Sequence, residues 1–331
     1  MRILVTGGAG FIGSHLVELL VSEGHRVSVL DNLSVGNLDN LKSVSHEIDF
    51  TKADIRNDEI RDLFRNIDCV IHLAALADIV PSMKNPAEYL DINVQGTIKI
   101  LENMRAHGVP RIIYAASSSC YGIAEKYPTK ESSNIAPQYP YALSKYLGEL
   151  SVFHWIKVFG ISGVSLRLFN VFGSRARTSG AYGAVLGVFM GQKSANLPLT
   201  VVGDGSQMRD FIYVKDVARA FKLAALSQKT NEIYNVGSGS PVSVKYLADS
   251  ISDNQVYIPK RPGEPDITHA DVRKIKNELN WVPQFSFLDG LTEALSDTKS
   301  WRDAPAWTVE RIQEETSAWF KNLGNFQNAE K

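Results

Sequence analysis

The sequence predicts an α/β fold, a doubly wound parallel sheet followed by a smaller mixed α/β C-terminal lobe. Three observations carry this. Short apolar runs alternate with helix-like stretches as far as Asn170, the pattern of strand–helix–strand units. A glycine-rich turn, Gly7-Gly8-Ala9-Gly10-Phe11-Ile12-Gly13, joins the first apolar run to the first helix. Beyond Phe172 the alternation loosens into loops and short elements, as a lobe covering a site would. At 331 residues the chain is long enough for a large core and one or two domains.

Arg2-Ile3-Leu4-Val5-Thr6 reads as a buried strand, and the glycine turn leads into a helix ending near Glu23. Gly7, Gly10 and Gly13 follow G-x-x-G-x-x-G, and Gly8, Gly10 and Gly13 also satisfy G-x-G-x-x-G. Glycines there permit a tight turn, close backbone approach to a pyrophosphate and near packing of helix on strand. The helix N-terminus then faces the phosphates. A second strand, Arg26 to Leu30, ends in Asp31, whose carboxylate suits two ribose hydroxyls and would repel a 2′-phosphate. Asn32 and Leu33 follow it, with no arginine. This order of parts predicts a Rossmann-type groove that takes NAD rather than NADP.

Ile48 to Phe50 begins a third strand leading to Asp54-Ile55. Asp54 either meets the adenine edge or serves as a helix cap or turn residue. Asp68 to Leu73 is the fourth strand, and Ala74-Ala75-Leu76-Ala77 leaves its carboxyl end. Small side chains there let backbone lie against the cofactor, or simply pack helix on sheet. A long helix over Asn85 to His107 carries Asn93, Gly96 and Thr97. Pro110 to Ala116 is the fifth strand, delivering Ser117 to the sheet's carboxyl edge, where ligands of open α/β sheets bind. A loop to about Pro137 precedes the helix of Tyr141, and Gly163 to Leu168 is the sixth strand. A helix over Lys215 to Ser227 and a strand over Glu232 to Val236 return to the sheet. The expected division is therefore 1–171 with 214–236 as the NAD-binding domain, and 172–213 with 237–331 as the substrate lobe. In that lobe Gly237 to Pro241 reads as a linker, and Arg261-Pro262-Gly263-Glu264 as a turn beside Thr268.

Tyr141-Ala142-Leu143-Ser144-Lys145 places a phenol and an ammonium four residues apart on one helix face. A phenol titrates near 10, and a neighbouring ammonium and a cationic nicotinamide ring favour the phenolate. The Ser117 hydroxyl can bond the same substrate oxygen and pass its proton toward Tyr141. This is alcohol–ketone chemistry, and it requires a hydride acceptor. The rest of the composition mainly excludes. A net charge of −1 with no basic run argues against nucleic acid as a partner. Cys69 and Cys120 are too few and too far apart for a disulfide framework or a zinc site, and the seven histidines show no ligand spacing. No metal is expected; His72 reads as a packed core residue and His269 as a solvated one. No membrane-length apolar run or cleavable leader is seen, which predicts a cytoplasmic protein.

These residues resemble the extended short-chain dehydrogenase/reductases, and within them the nucleotide-sugar epimerases and dehydratases. The resemblance covers residues 1–295. It rests on the glycine turn, His72-Leu73-Ala74-Ala75, Asn93-Val94-Gln95-Gly96-Thr97, Ser117-Ser118-Ser119-Cys120-Tyr121-Gly122, Tyr141-x-x-x-Lys145, Arg167 to Gly173 and Arg209 to Asp216. It implies that Ser117, Tyr141 and Lys145 are catalytic. It implies that Gly7, Gly10, Phe11, Ile12, Gly13, Asp31, Asn32, Asp54, Ile55, Leu73, Ala74, Ala75, Ala77, Asn93, Tyr141 and Lys145 surround the NAD.

Asn170, Arg209 and Arg261 match positions that hold the sugar's diphosphate. Guanidinium groups suit a dianion, although either arginine could equally form a surface ion pair. Val201 and Val202 lie where the family cradles the base, beside Gly203-Asp204-Gly205, a stretch also compatible with a hairpin turn. Thr268 matches the position where bulk shuts an N-acetyl group out, so its small side chain admits N-acetylated sugars. Ser118 and Ser119 stand where the dehydratases and decarboxylases carry carboxylates. The implied activity is therefore 4-epimerisation of a UDP-linked hexose or N-acetylhexosamine, with 4-dehydrogenase, 4-ketoreductase or 4,6-dehydratase as alternatives and a non-catalytic NAD sensor as a remote one. The run Ala115-Ala116-Ser117-Ser118-Ser119-x-Tyr121-Gly122 is most similar to the UDP-N-acetylglucosamine 4-epimerases. A homodimer is implied through the helices over Asn93 to Ala106 and Tyr141 to Lys157. The segment from Trp301 to Trp319 has no counterpart in the family pattern, and its tryptophans are expected to pack it against the body.

Overall fold

A computed structural model describes residues 1–56, 58–176, 184–297, 301 and 304–323. Its central sheet is made of β1 (Arg2–Thr6), β2 (Arg26–Asp31), β3 (Ile48–Lys52), β4 (Cys69–His72), β5 (Arg111–Ser117), β6 (Ser162–Leu168) and, after four shorter strands, β11 (Glu232–Val236). All seven run parallel in the order β11-β6-β5-β4-β1-β2-β3. A strand buried on both faces needs apolar residues at successive positions, and β-branched side chains suit the pleat. Ile3, Leu4 and Val5 on β1 and Ile112 and Ile113 on β5 meet that demand.

One face of the sheet is covered by α1 (Phe11–Ser22) and α7 (Val214–Leu226), which bury Leu16, Leu20, Val217 and Phe221 against it. The other carries α4 (Thr97–His107) and α5 (Pro140–Phe159), with Ile100, Met104, Val152 and Ile156 inward. Glycines 108 and 160 end those two helices in the left-handed region, at φ +64° and +70°. The sequence-based reading of one helix from Asn85 to His107 is refined here. The run is α3 (Pro86–Leu90), a π turn over Asp91–Gly96, then α4, after a separate short α2 (Ile79–Lys84). Gly96 lets the end of the π turn lie against Ile55, because a Cβ there would stand 2.4 Å from Cδ1 of Ile55.

The strand order reverses between β1 and β4, so a crevice opens at their carboxyl ends, below the exits of β2 and β5. Over that edge sits the second set of elements: β7 (Asn170–Phe172), α6 (Val185–Ser194), β8 (Leu199–Val202), β9 (Met208–Arg209), β10 (Phe211–Tyr213), β12 (Val242–Ser243), α8 (Val244–Asp249) and β13 (Gln255–Ile258). Their core is Phe172, Phe189, Leu199, Val201, Phe211, Leu247 and Trp301. β8 pairs in parallel with β13, so Gly203-Asp204-Gly205 turns the chain toward β9 and closes no hairpin. The chain ends with α9 (Arg273–Leu279), α10 (Phe287–Ser296) and a C-terminal helix over Val309–Leu323. Among the described residues no helix is long and apolar enough to cross a membrane.

Candidate active site

The crevice begins with the turn from β1 to α1. Gly7 sits at φ +73°, and a Cβ on it would lie 2.7 Å from the backbone N of Ala74. A Cβ on Gly13 would lie 2.1 Å from the Gly7 carbonyl oxygen, so helix and strand approach in a way only glycine permits. Gly10 caps α1 without a side-chain acceptor, and the first turn holds no acid. Phe11 and Ile12 open the helix, whose leading N–H groups thus retain capacity for an anion. At the end of β2 the buried Asp31 accepts from Ala9 N (3.0 Å) and Leu33 N (2.8 Å). Burial raises its pKa, and those two bonds partly offset the rise. Asn32 donates to Asp54 at 3.2 Å.

Asp54 itself takes the turn role, accepting from Arg56 N (3.0 Å) and pairing with the Arg56 guanidinium at 2.8 Å. That bonding holds its carboxyl down at about 2. Ile55 is buried in the core beneath Gly96. Leu73, Ala74, Ala75 and Ala77 follow β4 along the crevice edge, where Leu73 N donates to the Thr6 carbonyl and Ala74 N to Thr6 Oγ1. Asn93 differs from its expected place in the groove. It is 1% exposed, and its amide is committed to both polar groups of Leu76 and to Ser144 Oγ, each at 2.9 Å. Asn93 therefore braces the backbone of the Ala74–Ala77 segment and ties it to α5. His72 is a core residue as expected, held between Thr6 and Thr97, with burial pushing its pKa down to about 3.

The cradle, the uncapped helix start and the acid at the end of β2 together fit an NAD molecule. Asp31→Asn should weaken NAD about tenfold and narrow its advantage over NADP, because the neutral amide repels a 2′-phosphate less. Dissociation constants for the two nucleotides check this; an unchanged ratio would remove Asp31 from the ribose contact.

Ser117 ends β5, and α5 starts with Pro140 at its first turn, where the missing N–H costs nothing. Gly148 lets α5 approach β5, since a Cβ there would stand 2.2 Å from the Tyr114 hydroxyl. The geometry brings Ser117, Tyr141 and Lys145 to one edge. Ser117 Oγ bonds Ser119 Oγ at 2.8 Å and accepts from Ser119 N at 3.2 Å, while Ser118 heads a single 3-10 turn. Burial raises the pKa of Tyr141; a hydrogen bond from Ser117 opposes the rise, and the charges of Asp78 and Cys120 add to it. Lys145 is 5% exposed, with Nζ 4.5 Å from the Tyr114 ring centroid. Burial pushes it down to about 7, with Glu149 one turn on opposing. Glu149 is in turn paired with the buried Arg167 at 2.6 Å and accepts from Ser165 at 2.7 Å.

Asn170, Thr268 and Arg209 also converge. Thr268 Oγ1 donates to Asn170 Oδ1 (2.8 Å) and accepts from Asp210 N (3.0 Å), so this threonine is fixed as well as small. Arg209 is buried and paired with Glu264 at 2.8 Å, and Arg261 stands 3.8 Å from the other oxygen of Glu264. That oxygen is buried without a hydrogen-bond partner. Val201 is 0% exposed and packed in the lobe core, so its side chain cannot line a cleft. Alternation along β8 hands that place to Val202, beside Gln207, Arg209, Lys260 and Glu264. His269 is also not simply solvated; its Nε2 bonds the Gly239 carbonyl at 3.1 Å.

Three groups escaped sequence reasoning. Glu264 carried a signal, an acid three residues after Arg261, while Tyr139 and Asp78 carried none without the packing. Among the described residues no cluster of His, Cys, Asp and Glu could hold a metal ion.

Residues 3–237 match a family model described as the NAD dependent epimerase/dehydratase family. The chain is 38% identical over 307 residues to a Methanocaldococcus jannaschii protein provisionally named UDP-glucose 4-epimerase, covering 90% of this chain and 98% of that one. The crystal structure of UDP-glucose 4-epimerase with UDP-glucose from Thermotoga maritima superimposes with TM-score 0.85 at 32% identity, covering 90% of this chain and 99% of that one. The UDP-N-acetylglucosamine 4-epimerase of Methanobrevibacter ruminantium M1, in complex with UDP-N-acetylmuramic acid, superimposes with TM-score 0.86 at 33% identity, covering 90% and 98%. The fold, the nucleotide cradle and these likenesses agree, and the chain belongs to the NAD dependent epimerase/dehydratase family.

Proposed function

We propose that the protein is a 4-epimerase of a UDP-linked hexose or N-acetylhexosamine, acting through a transient 4-keto sugar. The observation that carries this reading is the set Ser117, Tyr141 and Lys145 at one sheet edge, with hydroxyls alone at positions 118 and 119. Expelling a C6 hydroxyl needs an added acid and base there, and Ser118 and Ser119 supply neither. When bound, NAD supplies the hydride acceptor and later the hydride donor, so the reaction is redox neutral overall.

Tyr141 takes the C4 hydroxyl proton and later returns it. Ser117 bonds the same oxygen and shares that proton, and Lys145 sets the charge around the phenol. Arg209 and Arg261 hold the diphosphate, with Glu264 turning them toward it and free to accept from a ribose hydroxyl once they are occupied. Rotation about the phosphate link presents the other face of the ketone. The N-acetyl arm of the reading rests on the small Thr268 and on the N-acetylated sugar nucleotide held by a similar structure. A homodimer is part of the proposal, through the helices over 93–106 and 141–157, with Leu143 and Leu150 exposed on one face of α5.

Incubation with a panel of UDP-sugars, followed by NMR at C4, is the test. Inversion at C4 with tightly held, stoichiometric NAD is expected. Net accumulation of a keto sugar would favour a dehydrogenase or dehydratase, and no conversion of any UDP-hexose would sink the reading.

A further inference from the structure

The C-terminal helix takes no part in that chemistry, yet it touches the segments on which the chemistry depends. Its Trp319 is 3% exposed. The indole N–H donates to the carbonyl of Pro262 at 2.7 Å. The ring lies 5.9 Å from that of Tyr139 at an angle of 46°, and the Arg261 guanidinium lies 5.9 Å from its centroid. Tyr139 immediately precedes α5, the helix of Tyr141. Trp319 thus stands between the turn over 261–264 and the start of the catalytic helix. Elsewhere the segment is anchored independently: the Trp307 carbonyl accepts from Gln192 at 2.8 Å, and Glu315 pairs with Lys84 at 2.6 Å.

Apolar packing alone would not need these contacts. Ile312, and Trp307 just before the helix, already bury the segment against Val80, Val188 and Ile258. The polar and cation–π contacts of Trp319 both go to one turn, and they bear on its aim. Pro262 has a fixed φ, so the bond to its carbonyl fixes the next peptide plane, beside Gly263 at φ +71°. That plane decides whether Arg261 and Glu264 face the same side. An indole–guanidinium contact then limits where the Arg261 head swings.

We infer that Trp319 is a positioning residue for nucleotide-sugar binding. It presets the Arg261–Glu264 turn against Tyr139, and so holds the diphosphate-binding groups ready before the nucleotide sugar arrives. This rests on the epimerase reading above, and it assigns the tail to affinity rather than to the chemical step. Interactions that serve substrate and transition state alike change KM and leave kcat.

The test compares Trp319→Ala, Trp319→Phe and Ile312→Ala in the NAD-loaded enzyme. It measures UDP binding by calorimetry, kcat and KM with the UDP-sugar that wild type converts, and retained NAD. Trp319→Ala should raise the UDP Kd and the sugar KM about tenfold, with kcat within about twofold and NAD retained. Trp319→Phe keeps a ring but loses the bond to Pro262, and should raise both about two- to threefold. Ile312→Ala loses comparable core packing in the same helix and should leave both within about twofold while lowering the unfolding midpoint. Unchanged UDP binding in Trp319→Ala, a fall in kcat with KM constant, or an equal effect from Ile312→Ala would each overturn the inference. Should Trp319→Ala fail to fold, Trp319→Phe decides, and an unchanged KM there overturns it too. Wild type that binds no UDP would strike the nucleotide-sugar reading itself, and the inference with it.

Discussion

Tyr141→Phe is expected to leave NAD binding and folding nearly intact while lowering kcat by about 10²–10⁴. The substitution removes one oxygen from a partly buried ring that packs edge-on to Tyr89 at 6.4 Å, so the hydrocarbon contacts survive. What disappears is the phenol that bonds Ser117 and lies one helical turn from Lys145, and with it the group assigned to hold the C4 proton. Ser117 cannot replace it. Its hydroxyl is already engaged with Ser119, and a serine alcohol is a far weaker acid than a phenol. Nucleotide released on denaturation should match wild type, and conversion at C4 followed by NMR should show the loss. Turnover within tenfold of wild type would move the proton-transfer role to another group, with Asp78, whose charge acts on Tyr141, the acid to test next.

Much of this site was legible before the packing was known, for a local reason. The strand–glycine–helix turn, the acid closing β2 and the four-residue spacing of Tyr141 and Lys145 are each set by chain geometry over a few residues. The carboxyl edge of a parallel sheet then brings them together without further information. Val201 shows where this fails. On a four-residue strand both neighbours are apolar, so only the partner strand and the helices behind it decide which one faces the cleft. Asn93 fails differently: its sequence motif marks an important position, but only the hydrogen bonds to Leu76 and Ser144 show that the amide looks inward. The tail lies outside both cases. Its expected packing against the body holds for Trp301, Trp307 and Trp319, all buried, yet no spacing rule joins Trp319 to Pro262 or Tyr139.

Lys145→Met is expected to abolish most activity and, in NAD-free protein, to raise stability at pH 6. The ordinary lysine value of 10.5 falls to about 7 in the folded protein because the ammonium is buried. Below pH 7 both folded and unfolded chains carry the proton, so the full cost of burying that charge is present. Between about 7 and 10.5 the folded state releases the proton while the unfolded chain keeps it, and wild-type stability recovers as pH rises. Above 10.5 neither state is charged and the cost is gone. The gap sets a ceiling of ~5 kcal/mol, and a gain on the order of 2–4 kcal/mol is expected at pH 6 after relaxation around the charge. Methionine fills similar volume, and Glu149 is not orphaned by the change because Arg167 pairs with it at 2.6 Å. Thermal unfolding at pH 6 and pH 10 provides the check. The variant's midpoint should exceed wild type at the lower pH by several degrees and by little at the higher. A variant less stable than wild type at pH 6 would mean that the ammonium is held by favourable contacts. In that case its buried charge would not be a cost carried for catalysis.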